Sequence, residues 1–309
     1  MAEPSPDEGD VLLDLHCCGI CGSDMHAWAG HDERRPAPLI LGHEAAGTGP
    51  DGRRWTINPL VTCGECEACR TGRDNICQSR QIISMPPREG AFAERLAMPV
   101  RNLVEVPAGV SFEAAALTEP MACGWHAVRL ARQAQPKPLE EATCLSIGGG
   151  AIGLGAALAL LANGAKEVWL AETSPARRLA IEGIEGLRLF DPTTDNAPEA
   201  DVVIDGVGFE ATRALASAAA KPGGAIVHIG LGSATGGLDI RRMTLWEITF
   251  IGAYTYTAED FRQTAAAIFD GRMGSLDWLG LRPLAEGAAA FEDLAAGRVA
   301  APKLQLLMR

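Results

Sequence analysis

Cys63, Cys66, Cys69 and Cys77 stand in the run C-G-E-C-E-A-C-R-T-G-R-D-N-I-C. Three cysteines at a spacing of three, then a fourth after a short polar loop, let a single loop fold around an ion. Four thiolates are the donor set of a tetrahedral structural Zn²⁺. Two disulfides or four unrelated thiols are the plainer alternatives. The chain has nine cysteines, an odd number, and no signal-peptide pattern at its start, and both features argue against disulfides. A closed four-cysteine site has no open position, so it shapes a loop and the chemistry must lie elsewhere.

A second set of candidate ligands is spread along the chain. Cys21 lies in C-C-G-I-C-G-S-D-M-H (17–26), His43 and Glu44 in L-G-H-E, and Glu119 in L-T-E-P. Three protein ligands plus an open position is the arrangement of a catalytic zinc site. Taken singly, each has an ordinary explanation, such as a buried thiol, a hydrogen-bonded imidazole or a Glu-Pro helix start. Cys17, Cys18, Cys123 and Cys144 read as small apolar fillers.

The elements that would position such a site show most clearly around the glycine run. Residues 142–147 read as a buried parallel strand leading into Gly148-Gly149-Gly150-Ala151-Ile152-Gly153, a match to G-x-G-x-x-G. An apolar helix follows over 154–163, then a strand over 167–171 that ends at Glu172. Strand, glycine turn, helix and an acid about 20 residues on form the dinucleotide fingerprint. Gly148, Gly150 and Gly153 would allow the tight turn, and the Ala151–Ile152 helix start would offer N–H groups to a pyrophosphate. Glu172 would accept the ribose hydroxyls and repel a 2′-phosphate, favouring NAD over NADP. Arg177 and Arg178 could soften that preference, although a solvated helix face explains them as well. Further strands over 201–205, 225–229 and 248–253 complete a doubly wound sheet. The first two end in Gly206-Val207-Gly208 and Gly230-Leu231-Gly232, where the nicotinamide could lie against backbone.

At 309 residues, with 47% hydrophobic and 21% charged side chains, the chain suits a two-domain globular protein. Its net charge of −12 argues against nucleic acid or an anionic membrane as partner. The longest apolar run, 151–162, falls short of the ~20 residues a bilayer requires. A soluble, cytoplasmic protein is expected.

Five motifs together resemble the zinc-dependent medium-chain dehydrogenase/reductase family, most nearly its sorbitol (polyol) dehydrogenase-like branch. They are G-I-C-G-S-D-M-H at 19–26, G-H-E at 42–44, N-P-L-V-T-C-G-E-C-E-A-C at 58–69, E-P-M-A-C-G-W-H-A at 119–127 and G-G-G-A-I-G at 148–153. The resemblance implies an α/β protein with two domains. A GroES-like, β-rich catalytic domain would span 1–118 and 257–309, and a Rossmann NAD-binding domain 119–256. It implies two zinc ions per chain. Cys21 and His43 would bind the catalytic one, with Glu44 a third ligand or directly behind it and Glu119 a ligand or a partner of the metal's water. Ser23 would take the substrate's proton and His26 would be the outer end of the relay. Asp24 would support the metal ligands, and Trp28 and Phe92 could wall the pocket.

The implied reaction is reversible hydride transfer from a polyol or other secondary alcohol to NAD⁺, by a homodimer or homotetramer. A threonine- or sugar-type dehydrogenase with the same site is the alternative within enzymes. The sequence departs from the family in two places. Residues 1–10 are a Pro- and acid-rich lead-in where the family has its first strands. Residues 45–57 read as one tight hairpin turning at Pro50-Asp51-Gly52 where the family runs through two barrel strands. That shortening leaves a third reading, a catalytically weak zinc- and nucleotide-binding homologue.

Overall fold

The computed structural model describes residues 3–308, so Met1, Ala2 and Arg309 of the termini lie outside the described residues. The chain divides into two compact units. One runs to Glu119 and is completed by Thr257–Asp270 and the chain from Leu279 onward. The other is Pro120–Tyr256 with Gly271–Trp278.

The first unit opens with β1 (Asp10–Gly19), α1 (Gly22–Trp28), β2 (Glu44–Thr48), β3 (Arg54–Ile57) and β4 (Leu60–Val61). It continues through α2 (Glu67–Arg70), β5 (Gln81–Ile82), β6 (Arg95–Pro99), β7 (Leu103–Glu105) and α3 (Phe112–Ala116). β1 alternates in its first half, burying Leu13 and Leu15 while Leu12 and Asp14 stay half-buried, the period-two pattern of a strand with one wet face. β2 and β3 form the expected tight hairpin. Gly49 and Arg53 close it by backbone hydrogen bonding, Asp51 accepts from the Arg53 amide, and Gly52 takes φ +79°, which a side chain would resist.

The second unit takes up α4 (Thr118–Ala134) from Pro120. It then alternates β8 (Thr143–Ile147), α5 (Ala151–Ala162), β9 (Glu167–Ala171), α6 (Pro175–Ala180), β10 (Leu187–Phe190), β11 (Ala200–Asp205), α7 (Glu210–Ala219), β12 (Ala220–His228), α8 (Ile240–Trp246) and β13 (Thr249–Gly252). The six strands are parallel in the order β10-β9-β8-β11-β12-β13. The order reverses between β8 and β11, and a doubly wound sheet opens its ligand crevice at that point. α5 is apolar all round and almost wholly buried. A Cβ on Gly124 of α4 would stand 2.4 Å from the Ala156 amide of α5, so the two helix backbones touch.

The chain then adds α9 (Ala258–Phe269), β14 (Leu279–Pro283), α10 (Gly287–Ala295) and β15 (Lys303–Leu307). β15 inserts between β14 and β1, giving the first unit a sheet ordered β14-β15-β1-β2-β3-β7, with β6 also on β1. The sequence reading differs from the structure in three stretches. β10 was not read as a strand. β12 begins at Ala220 rather than 225, passing through a register shift opposite Ala200 and Val202. Gly271–Trp278, read as part of the first unit, packs in the second. There Met273 and Trp278 are buried and the Arg272 guanidinium lies 5.8 Å from the Trp125 ring. Among the described residues no helix is long and apolar enough to cross a membrane.

Candidate functional site

The four lobe cysteines converge. Cys66 and Cys69 sit at 3.5 Å between sulfurs, Cys63 and Cys77 at 3.5 Å, and Cys63 and Cys69 at 3.9 Å. All are free thiols, far beyond disulfide contact. A tetrahedral zinc with Zn–S bonds of about 2.3 Å sets sulfurs about 3.8 Å apart, so the spacing fits. The ionisation conflict among them fits as well. Backbone N–H groups of Glu65 and Cys66 bring Cys63 down to about 6, while burial and the neighbouring Cys66 push Cys69 up to about 12. A divalent cation resolves that conflict.

The second cluster is built where two elements meet. Cys21 is the N-cap of α1, and His43 and Glu44 lie at the start of β2. Their ligand atoms are within 4.8 Å of one another. Asp24, fully buried, organises them. Its carboxylate accepts the amides of Cys21 and Gly42 at 3.0 Å each and faces His43 Nδ1 at 3.5 Å. Burial raises the Asp24 pKa, but His43 and the two amides more than offset it, leaving the carboxyl below its usual range. With Nδ1 held by Asp24 and by Ser84 Oγ at 3.3 Å, Nε2 remains the donor toward an ion, a second-sphere arrangement common at metal sites.

Glu44 is 1% exposed. Its Oε1 accepts from Lys303 Nζ at 2.6 Å, while its Oε2 has no hydrogen-bond partner. A buried carboxylate oxygen without a donor, beside a thiol and an imidazole, fits a zinc ion. Gly19 makes the placement possible, because a Cβ there would stand 1.9 Å from Oε2. Glu119, buried at the start of α4, is not a member of this cluster.

Ser23 and His26 lie three apart on α1, hence on one face, Ser23 half-buried and His26 exposed. The Phe92 ring packs within 3 Å of where a Gly42 Cβ would be. It meets Phe291 edge-on at 5.8 Å, and Trp28 meets Phe291 at 5.8 Å with its ring tilted by 44°.

Two residues were missed at the sequence level. Lys303 heads β15 and donates to both Glu44 and the Ile20 carbonyl at 2.9 Å. Burial opposes its charge, yet Glu44 and Cys21 raise its pKa. A lysine opening the otherwise apolar run K-L-Q-L-L was the available signal. Ser84 gave none.

In the second unit, Gly148, Gly150, Ala151, Ile152, Gly153, Glu172, Arg177 and Val207 line one cavity of about 670 Å³. The glycines are there for want of space. Gly148 takes φ +101°, and a Cβ on Gly153 would stand 1.9 Å from the Gly148 carbonyl. Glu172 accepts the Gly149 amide at 2.8 Å on Oε2, and the Ser174 amide at 2.7 Å and Thr173 Oγ1 at 3.5 Å on Oε1, so the carboxylate is fixed at the rim. Arg177 Nη1 stands 3.7 Å from it. Gly208 and Gly230 pack against each other beyond the cavity lining. A Cβ on Gly208 would meet the Gly230 carbonyl at 2.1 Å, and Leu231 is exposed.

Comparison with known proteins agrees with both halves of this geometry. Residues 7–108 match the alcohol dehydrogenase GroES-like domain and residues 151–270 the zinc-binding dehydrogenase domain. L-galactonate-5-dehydrogenase of Escherichia coli K12 is 33% identical over 290 residues, covering 87% of this chain and 83% of its own. Acetophenone reductase of Geotrichum candidum, solved with NAD, superposes with a TM-score of 0.85 at 27% identity, covering 99% of this chain and 91% of its own. A Sinorhizobium meliloti protein bound to NADP gives 0.87 at 27%, covering 98% and 93%. With both domain models matched and a 33% identical relative covered over most of its length, the chain belongs to the zinc-dependent medium-chain dehydrogenase/reductase superfamily.

Proposed function

We propose that the protein is a zinc-dependent oxidoreductase that moves a hydride reversibly between a secondary alcohol of a polyol or sugar-derived acid and NAD⁺. The carrying observation is the buried Cys21–His43–Glu44 cluster with its unpartnered carboxylate oxygen. A zinc ion held there would supply Lewis acidity toward an alcohol oxygen, and a second, in the cysteine lobe, would do no chemistry. Cys21, His43 and Glu44 hold the ion, and Asp24 keeps the imidazole oriented. Glu119, outside the cluster, stays a candidate partner of the ion's water. Ser23 would take the substrate's hydroxyl proton as it gives up its own, which would pass outward by way of the cofactor's ribose and His26 to solvent.

The nicotinamide dinucleotide would supply the hydride acceptor. Glu172, pinned by two amides, favours the unphosphorylated ribose of NAD, while Arg177 beside it and the NADP-bound relative keep NADP in the test. The exposed edge of β13 would pair two copies in a dimer, and nine free thiols suit a reducing cytoplasm.

The test is NADH absorbance from zinc-loaded protein across polyols, sugar acids, threonine and simple secondary alcohols, with NAD⁺ and NADP⁺ in parallel. Turnover on a polyhydroxylated substrate with NAD⁺ is expected. Turnover only with NADP⁺ would overturn the cofactor assignment, and silence from protein containing both zinc ions would overturn the reaction.

A further inference from the structure

The carboxyl ends of β11 and β12 are tied together by a buried guanidinium that forms no ion pair among the described residues. Arg213, on α7, is 5% exposed. Its Nη1 donates to the Gly208 carbonyl at 2.8 Å and to the Ser233 carbonyl at 2.9 Å. Its Nη2 donates to Ser233 Oγ at 2.8 Å and to the Thr235 carbonyl, and its Nε to the Gly236 carbonyl at 2.6 Å. All five N–H groups are spent, four on carbonyls and one on a hydroxyl. A buried cation without a counter-charge is costly, so what it holds should explain its presence.

It holds an exposed loop that is otherwise tied by the Gly232 amide to the Val207 carbonyl at 3.2 Å, the Ser233 amide to the Gly208 carbonyl at 2.9 Å and the Asp239 amide to Ser217 Oγ at 3.2 Å. The chain from Gly230 to Asp239 reads G-L-G-S-A-T-G-G-L-D, and residues 231–236 are all exposed. A glycine-rich, solvated loop has high conformational entropy. Arg213 draws its middle onto Gly208, and the Ser233 amide bonds the same Gly208 carbonyl at 2.9 Å. From below, Asp205 Oδ1 accepts the Val207 and Gly208 amides at 3.0 and 2.9 Å. The Val207 and Gly208 amides are therefore held by Asp205, the Gly208 carbonyl by Arg213 and the Ser233 amide, and the Val207 carbonyl by the Gly232 amide at 3.2 Å.

The β8–β9–β10 half of the sheet carries Glu172 and the glycine turn, the groups suited to the adenosine and pyrophosphate. The β11–β12 half is left for the nicotinamide. Resting on the dinucleotide reading above, we infer that Arg213 is a positioning residue for the nicotinamide end of the cofactor. It fixes the Gly230–Gly236 loop over Gly208 so that backbone groups at Val207 and Leu231 meet the carboxamide already in place. No other residue type does this. Lysine keeps the charge but lacks the planar fork that reaches several carbonyls at once.

The experiment compares two ligands on the zinc-loaded protein, NADH and ADP-ribose, which lacks the nicotinamide. Arg213→Lys and Arg213→Met should weaken NADH binding about tenfold or more and leave ADP-ribose binding within about twofold. Ser233→Ala, which removes one partner and spares the buried arginine, should show the same selectivity at about threefold and serves if the Arg213 variants do not fold. A purely structural role would weaken both ligands alike. Equal losses for the two ligands, or no loss for either, overturn the inference. Failure of the unsubstituted protein to bind ADP-ribose would instead overturn the dinucleotide reading itself.

Discussion

Replacing Lys303 with methionine keeps the buried stem and deletes only the ammonium. The structure then loses a 2.6 Å bond to Glu44 and a 2.9 Å bond to the Ile20 carbonyl, at a site where the two side chains are 5% and 1% exposed. Glu44 Oε2 already has no donor, so the variant buries a carboxylate with neither oxygen satisfied. Breaking a buried pair from one side costs about 3–5 kcal/mol. Glu44→Gln should cost less, about 1–3 kcal/mol, because Lys303 retains Ile20 and an amide oxygen. The double variant should fall short of the sum by about 2 kcal/mol.

Zinc changes this balance, because it offers the stranded Glu44 another cation. If metal recovers about 1.4 kcal/mol of the loss, linkage requires the Lys303→Met protein to bind that zinc tenfold more tightly. Urea unfolding of the four proteins, with hydrogen exchange of the β1 and β15 amides to localise the effect, measures the first quantity. Chelator-competition titration of protein with a loaded cysteine lobe measures the second. A loss below about 1 kcal/mol in metal-free Lys303→Met, or weaker zinc binding in that variant, would refute the reasoning.

Ser23→Ala should lower kcat roughly a hundredfold to ten-thousandfold, the usual worth of a positioned proton acceptor, with zinc content and NADH affinity unchanged by metal analysis and fluorescence titration. Cys66→Ser should reduce zinc from two ions per chain to one by atomic emission and lower the melting temperature, since a structural site contributes folding energy directly. Asp201, whose carboxylate accepts the Thr143 amide at 2.8 Å and meets Lys137 and Lys221 at 3.1 and 3.2 Å, is held below the usual carboxyl range by these groups despite the opposing effect of burial. A lowered folded-state pKa gives stability that is present above the unfolded value of about 3.9 and is lost as pH falls through the folded value. Asp201→Asn should therefore cost about 1–2 kcal/mol at neutral pH, and urea unfolding from pH 6 to pH 3 should show that difference shrinking.

The parts legible in the sequence were those written in adjacent residues. All four lobe cysteines fall between positions 63 and 77, and strand, glycine turn, helix and acid follow one another from Thr143 to Glu172. The hairpin at Pro50–Gly52 announced itself by turn chemistry. What escaped depended on distant or irregular contacts. Lys303 acquires meaning only from Glu44, which lies 259 residues away in the chain. Ser84 lies in a loop and reaches His43 through a left-handed backbone, φ +66°. β12 looked too short because Lys221-Pro222-Gly223-Gly224 reads as a turn, whereas the strand passes through it with a register shift. Gly271–Trp278 has no periodicity to assign it, and its anchors to the second unit, buried Met273 and Trp278 and the Arg272 guanidinium beside the Trp125 ring, lie outside any regular pattern.

The pairing of Glu44 with Lys303 also sets an order in time. As the chain leaves the ribosome, residues 63–77 emerge early and already contain every thiolate of their lobe, so that zinc can be captured by a short nascent segment. Cys21, His43 and Glu44 emerge sooner still, yet the ammonium that balances Glu44 arrives only after the whole second unit has been synthesised and β15 has slotted against β1. Domains fold largely as units in the order they are made, and this one must wait for its final strand. Until then Glu44 is an uncompensated carboxylate beside a thiol and an imidazole, a combination that draws metal. On the zinc reading proposed above, a nascent chain would gather the lobe's ion locally, whereas Glu44 would meet its counter-charge only once β15 has been made.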